Sequence, residues 1–187
     1  QGAGRAKVWD APTLRLDIAP WFQLSIARSL ITDIERLTGE TRLAAQSIAD
    51  RIGDVAVTRP TVTRQLDDAL GRRSLVTLQG LPGSGKSVLL RRLVEAALER
   101  GPALLLKSDR LAGGSWAQFA TRLGLSSVDP VPLLAEIAAT GTPVLFIDGL
   151  DRIDRAQRGI VTDLLRAIEG SALLAGWKVV ATLRDSG

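Results

Sequence analysis

Eight consecutive residues, Gly80-Leu81-Pro82-Gly83-Ser84-Gly85-Lys86-Ser87, constrain this chain more than any other feature. They follow a short apolar run, Leu75–Gln79, that reads as a strand. They open a segment, Lys86–Glu99, in which Val88, Leu89, Leu93, Ala96 and Ala97 recur at helical spacing. A strand that turns through glycines directly into a helix aims successive backbone N–H groups, and the positive end of the helix dipole, at one point. That arrangement cradles phosphate. Gly80, Gly83 and Gly85 stand where a side chain would block the anion or forbid the turn. Lys86 supplies a mobile charge for the β- and γ-phosphates and Ser87 a hydroxyl ligand for Mg²⁺, and the cradle runs on to Val88.

A magnesium-bound triphosphate also calls for a carboxylate at the C-terminal end of a neighbouring parallel strand. Pro143-Val144-Leu145-Phe146-Ile147-Asp148 provides one, with an apolar run delivering Asp148 to the same end of the sheet as Gly80. Ser87 and Asp148 are therefore the expected metal pair. A further strand, Ala103–Lys107, lies between the two motifs in sequence, which points to the additional-strand class of phosphate-loop proteins.

The rest of the chain divides at about residue 57. Residues 57–187 alternate strands and helices, with a fourth strand at Lys178–Leu183 and helices at Trp116–Leu123, from Asp129 to about Ala139, and at Ala156–Ile168. That rhythm predicts an α/β fold with a parallel sheet in three αβα layers. Residues 1–56 read as a short helical extension. Gln1–Pro20 is expected to be extended or poorly ordered, with helices at Phe22–Leu37, stopped by Gly39, and at Thr41–Ile52. Thr61–Leu70 reads as a helix closed by Gly71.

Composition removes whole classes of chemistry. The chain has no Cys, His, Met, Tyr or Asn. A disulfide, a thiol nucleophile and a Ser-His-Asp relay are excluded, as is an ordinary zinc site. No apolar run approaches the ~20 residues of a membrane helix, so a cytoplasmic protein with no membrane partner is expected. The lack of Met suggests an internal fragment of a longer protein. Net charge is +4, with a pI near 10.3. The basic residues are interleaved with acids, so nucleic acid is a possible partner but not a favoured one.

Beyond Asp148 the residues become more specific. Ile147-Asp148-Gly149-Leu150-Asp151 resembles the DGLD box of NACHT-type ATPases, members of the STAND class of signalling NTPases related to AAA+ proteins. Thr182-Leu183-Arg184 is similar to the T-x-R strand end by which such domains sense the γ-phosphate, and Arg59-Pro60 resembles their upstream base-contacting segment. The resemblance covers about Val57–Gly187 and implies a P-loop NTPase core, cut before its C-terminal strand and lid. It further implies ATP or ADP with Mg²⁺, and self-association through the core in the full-length protein. The implied product is a nucleotide switch, in bacteria often one of defence signalling. Two departures stand out: Arg152 replaces the usual acidic residue after the box, and Gly149 replaces the glutamate of many hydrolytic relatives. Asp151, with Asp154 second, is then left to orient water. Turnover is expected of the full-length protein and weak or absent in this fragment. A GTP preference is disfavoured, since the guanine-reading box needs Asn.

Other functions remain open: an AAA+-type nucleic-acid-associated ATPase, a P-loop small-molecule kinase, and a scaffold that binds nucleotide without turnover. Among residues outside the motifs, Lys107 and Asp109 read as a salt bridge, and Trp116 and Phe119 as core. Arg152, Arg155 and Arg158 read as a solvated face, with an arginine finger as the sharper alternative.

Overall fold

A computed structural model of the chain describes residues 10–22, 24–49, 51–52, 55–56 and 60–185. In chain order, helices α1 (Ala11–Ile18) and α2 (Ile31–Gln46) precede a small antiparallel pair, β1 (Arg51–Ile52) and β2 (Val55–Ala56). Then come α3 (Pro60–Arg72), β3 (Leu75–Leu78), α4 (Lys86–Arg100), β4 (Leu104–Lys107), α5 (Trp116–Arg122) and α6 (Pro130–Thr140). Strand β5 (Val144–Asp148), helix α7 (Arg158–Gly170) and strand β6 (Lys178–Thr182) complete the order.

Strands β3 to β6 form one parallel sheet in the order β3-β6-β5-β4. Side chains alternate between its faces, as the pleat requires. Leu104, Leu106, Leu145, Ile147, Val179 and Ala181 join one core, filled by Trp116 and Phe119 of α5, Leu133 and Ile137 of α6, and Ile160 and Leu164 of α7. Leu105, Phe146 and Val180 join the other, against Leu90, Val94 and Ala97 of α4 and Leu66 of α3. Both faces of the sheet are covered, which is why β4, β5 and β6 read as nearly unbroken apolar runs. The result is the α/β, three-layer fold expected of a P-loop NTPase.

One expectation about the sheet needs correction. The strand bearing Asp148 does not lie next to the strand that enters the glycine loop: β6 is hydrogen-bonded to both and separates them. The last strand among the described residues, β6, is thus threaded between the two motifs, and its C-terminal residues meet both.

The amino-terminal part also departs from the sequence reading. Ala11–Ile18 is helical, not extended, with the Asp10 carboxylate accepting from the Thr13 N–H at 2.8 Å as an N-cap. Arg15 ties α1 down by donating to the buried Glu136 at 2.7 Å, and the same carboxylate oxygen accepts from the Ala27 N–H at 2.7 Å. In place of the two helices expected at Phe22–Leu37 and Thr41–Ile52 there is one, α2, which begins only at Ile31 after a single tight turn at Arg28–Leu30 and ends at Gln46, and Arg51–Ile52 is strand β1. Gly39 does not stop it. A mid-helix glycine costs about 1 kcal/mol relative to alanine, and burial of Ile34, Leu37, Ala44 and Ala45 offsets that. Gly71 likewise falls inside α3.

Helix α2 also solves the problem of the exposed sheet edge at β4. Its buried Thr41 hydroxyl donates to the Ala103 carbonyl at 3.0 Å and accepts from the Leu105 N–H at 3.1 Å. Backbone groups that would otherwise be orphaned beside a helix are satisfied. Further along, Glu40 receives both Arg110 Nε at 2.6 Å and Nη2 at 3.0 Å. At the start of the helix, Asp33 is 1% exposed and accepts from the Ser126 N–H at 2.9 Å, the Ser126 hydroxyl at 2.7 Å and the Ser127 N–H at 3.1 Å. Burial pushes its carboxyl up, but the Ser126 and Ser127 donors, helped by Arg36, hold it below the usual aspartate value.

Candidate phosphate-binding site

Strand β3 ends at Leu78, and the loop Gln79–Gly85 carries the chain to Lys86 at the start of α4. Gly83 and Gly85 have φ of +75° and +84°, left-handed values that side-chain-bearing residues rarely adopt. Gly85 is the N-cap of α4 and brings no side chain to cap it. The first amides of that helix have no acceptor within it, so they are available to an anion at the mouth of the loop. The Lys86 ammonium folds back over the same loop, donating to the Gly80 carbonyl at 2.7 Å, the Leu81 carbonyl at 2.9 Å and the Ser84 hydroxyl at 3.3 Å.

The acidic strand end arrives where the motif spacing requires it. The Ser87 hydroxyl donates to Asp148 Oδ1 at 2.7 Å, and Asp148 is 1% exposed. Sequence reasoning did not foresee the second ligand of that oxygen. The Thr182 hydroxyl, 2% exposed at the end of β6, donates to Asp148 Oδ1 at 2.8 Å and accepts from the Gly149 N–H at 2.7 Å. Thr182 can stand there only because β6 lies between β3 and β5. The threonine of the T-x-R strand end was the available signal. Beyond it, the Leu183 N–H donates to the Leu78 carbonyl at 3.0 Å and the Asp185 N–H to the Gly80 carbonyl at 3.3 Å, joining β6 to the glycine loop.

The remaining candidates gather at the same end of the sheet, on its rim. Asp151 accepts from the Arg184 N–H at 3.3 Å and faces the Arg184 guanidinium at 3.8 Å, so two residues expected to act separately are paired. Asp154 is exposed and precedes a short turn without capping it. Arg152 brings Nη2 to 3.5 Å from Asp148 Oδ2, a contact at i,i+4 spacing that the reading of Arg152 as a solvated residue did not anticipate. Arg155 and Arg158 are exposed. Lys107 and Asp109 form the expected ion pair, and hydrogen bonding to Lys107 holds the Asp109 carboxyl below its ordinary value. Trp116 and Phe119 are core, with ring centroids 5.8 Å apart. Arg59, the expected base contact, lies outside the described residues.

Chemically, the site offers an uncapped helix start, a lysine ammonium, a hydroxyl and a buried carboxylate. The hydroxyl and carboxylate are hard oxygen donors, the kind Mg²⁺ takes alongside phosphate and water oxygens. Ser87 and Asp148 therefore fit that ion. Among the described residues, no helix is long and apolar enough to cross a membrane.

No protein-family model matches the chain, and no curated protein matches it. Among solved structures it is similar to C. elegans PCH-2, at 15% identity and a TM-score of 0.30, over 94% of this chain and 43% of that one. The chain thus spans less than half the length of that protein.

Proposed function

We propose that this chain is the Mg-ATP-binding switch domain of a signalling ATPase of the NACHT type, within the STAND class related to AAA+ proteins. The observation that carries the nucleotide reading is the 2.7 Å hydrogen bond from Ser87 to Asp148 beside the glycine loop and Lys86. A glycine-rich turn that bound nothing would have no reason to bring a hydroxyl and a buried carboxylate together at its mouth. In this reading Gly80–Val88 hold the phosphates, with Lys86 against the β- and γ-oxygens. Ser87 and Asp148 hold Mg²⁺, which when bound offsets the charge of those oxygens. Arg59 contacts the base.

Asp151 and Arg184 form the sensing pair of the proposal. Their bond is long and exposed, and such pairs contribute about 0–1 kcal/mol, so a γ-phosphate could draw Arg184 away at little cost. Asp151, once released, would be free to orient a water. With glycine at position 149, hydrolysis is slow in this domain, and the bound nucleotide serves mainly to set a state. The larger protein, self-associating through this core, would act in the cytoplasm, with defence signalling as its bacterial setting.

The test is competition for bound, fluorescently labelled ADP. The proposal expects displacement by ATP and ADP, weaker displacement by GTP, and none by duplex DNA. Direct binding of duplex DNA, with an affinity that falls steeply between low and moderate salt, would favour the nucleic-acid-associated reading instead.

A further inference from the structure

The proposed nucleotide site carries a cation of its own. Arg152, in the turn Leu150–Arg152 after β5, sets Nη2 3.5 Å from Asp148 Oδ2. Its guanidinium also fills the space beside Gly149. A Cβ built at Gly149 would lie 2.5 Å from both Nε and Nη2 of Arg152, and the φ of +71° there disfavours a side chain independently. Position 149 is thus closed by the arginine. The other carboxylate oxygen, Oδ1, is already committed to Ser87 and Thr182. Arg152 is therefore the cationic partner of the one oxygen of Asp148 that no hydroxyl holds.

Its surroundings fit that role. Lys107, the register partner of Asp148 in β4, is engaged with Asp109, and the field of Arg152 reaches Asp109 as well. A buried carboxylate beside a polyphosphate is repulsive unless a cation stands with it. Ordinarily that cation is the metal. Here an arginine attached to the same turn is present without having to be recruited from solution.

We propose that Arg152 is a built-in counter-cation for Asp148, a positioning residue that weakens the dependence of nucleotide binding on Mg²⁺ and that Mg²⁺ must displace from Asp148. The proposal rests on the nucleotide reading above. Coupling between two ligands is reciprocal, so a residue that competes with the metal lowers the factor by which metal tightens nucleotide and nucleotide tightens metal.

The experiment measures the affinity of the 187-residue chain for fluorescently labelled ADP, in excess Mg²⁺ and in excess EDTA. The readout is the ratio of the two dissociation constants. Arg152→Ala should raise that ratio by about fivefold or more, chiefly through weaker binding in EDTA, and Arg152→Lys should restore part of the original ratio. The side chain is 42% exposed, so its removal leaves the core in place, which a thermal melt checks. An unchanged ratio in Arg152→Ala overturns the role of Arg152 and leaves the nucleotide site standing. Failure of the unsubstituted chain to bind ADP in either condition overturns both.

Discussion

Ser87 and Asp148 are 61 positions apart in sequence and 2.7 Å apart in space. The contact needs β3 and α4 to place the hydroxyl, β5 to place the carboxylate, and β6 to space the two strands. A bond assembled from so many elements is sensitive to either partner. Ser87→Ala removes one proposed metal ligand and one hydrogen bond to a charged group, an interaction of about 1.5–3 kcal/mol. The expected outcome is a loss of Mg-ADP affinity of about tenfold or more, with ADP in EDTA much less affected. Calorimetric titration in the two conditions separates the effects.

Thr182 links Asp148 to the Gly149 amide, and all of these groups are buried. Thr182→Val keeps the shape but removes the hydroxyl, leaving the Gly149 N–H without its acceptor and Asp148 without one donor. Destabilisation of about 1–3 kcal/mol is expected, read as a lower urea midpoint. Thr182→Ser should recover most of it. A loss in Thr182→Ser as large as that in Thr182→Val would contradict the assignment to the hydroxyl, which serine keeps.

The parts of the fold that were legible in advance are those whose chemistry is local. Strands β4, β5 and β6 are short apolar runs, and both faces of the sheet accept them. The glycine loop and Asp148 carry their requirements in residue type and spacing. What escaped depends on distant partners. Gly39 looks like a helix stop until β4 is present to bury Ile34 and Leu37 on one side of it and Ala44 and Ala45 on the other. Helix α1 gains its anchor from Glu136, more than a hundred residues away, through Arg15. Thr182 gains its place from a sheet order in which the final strand enters the middle. Arg152 looks like any surface arginine until Asp148 is fixed one turn before it.

Asp33 makes acid stability a test of how α2 is docked. Its folded pKa lies below the ordinary aspartate value of about 3.9, under three donors from Ser126 and Ser127. A depressed carboxyl stabilises the fold fully above its unfolded pKa, and that stabilisation is lost as pH falls through the folded value. Asp33→Asn should cost about 1–3 kcal/mol at neutral pH. The gap between variant and parent should then close from about pH 4 downward. Chemical denaturation at a series of pH values checks it, and a gap that stays constant into acid would contradict the assignment.

The central claim is that the glycine loop, Lys86, Ser87 and Asp148 form one site for a magnesium-bound nucleotide. The most direct measurement is isothermal calorimetry of Mg-ATP with the chain and with Lys86→Ala, where the lost ammonium is the charge nearest the loop carbonyls of Gly80 and Leu81. Saturable binding at a single site, weakened about a hundredfold by the substitution, is the predicted result. No heat with Mg-ATP, or the same affinity in both proteins, would contradict it.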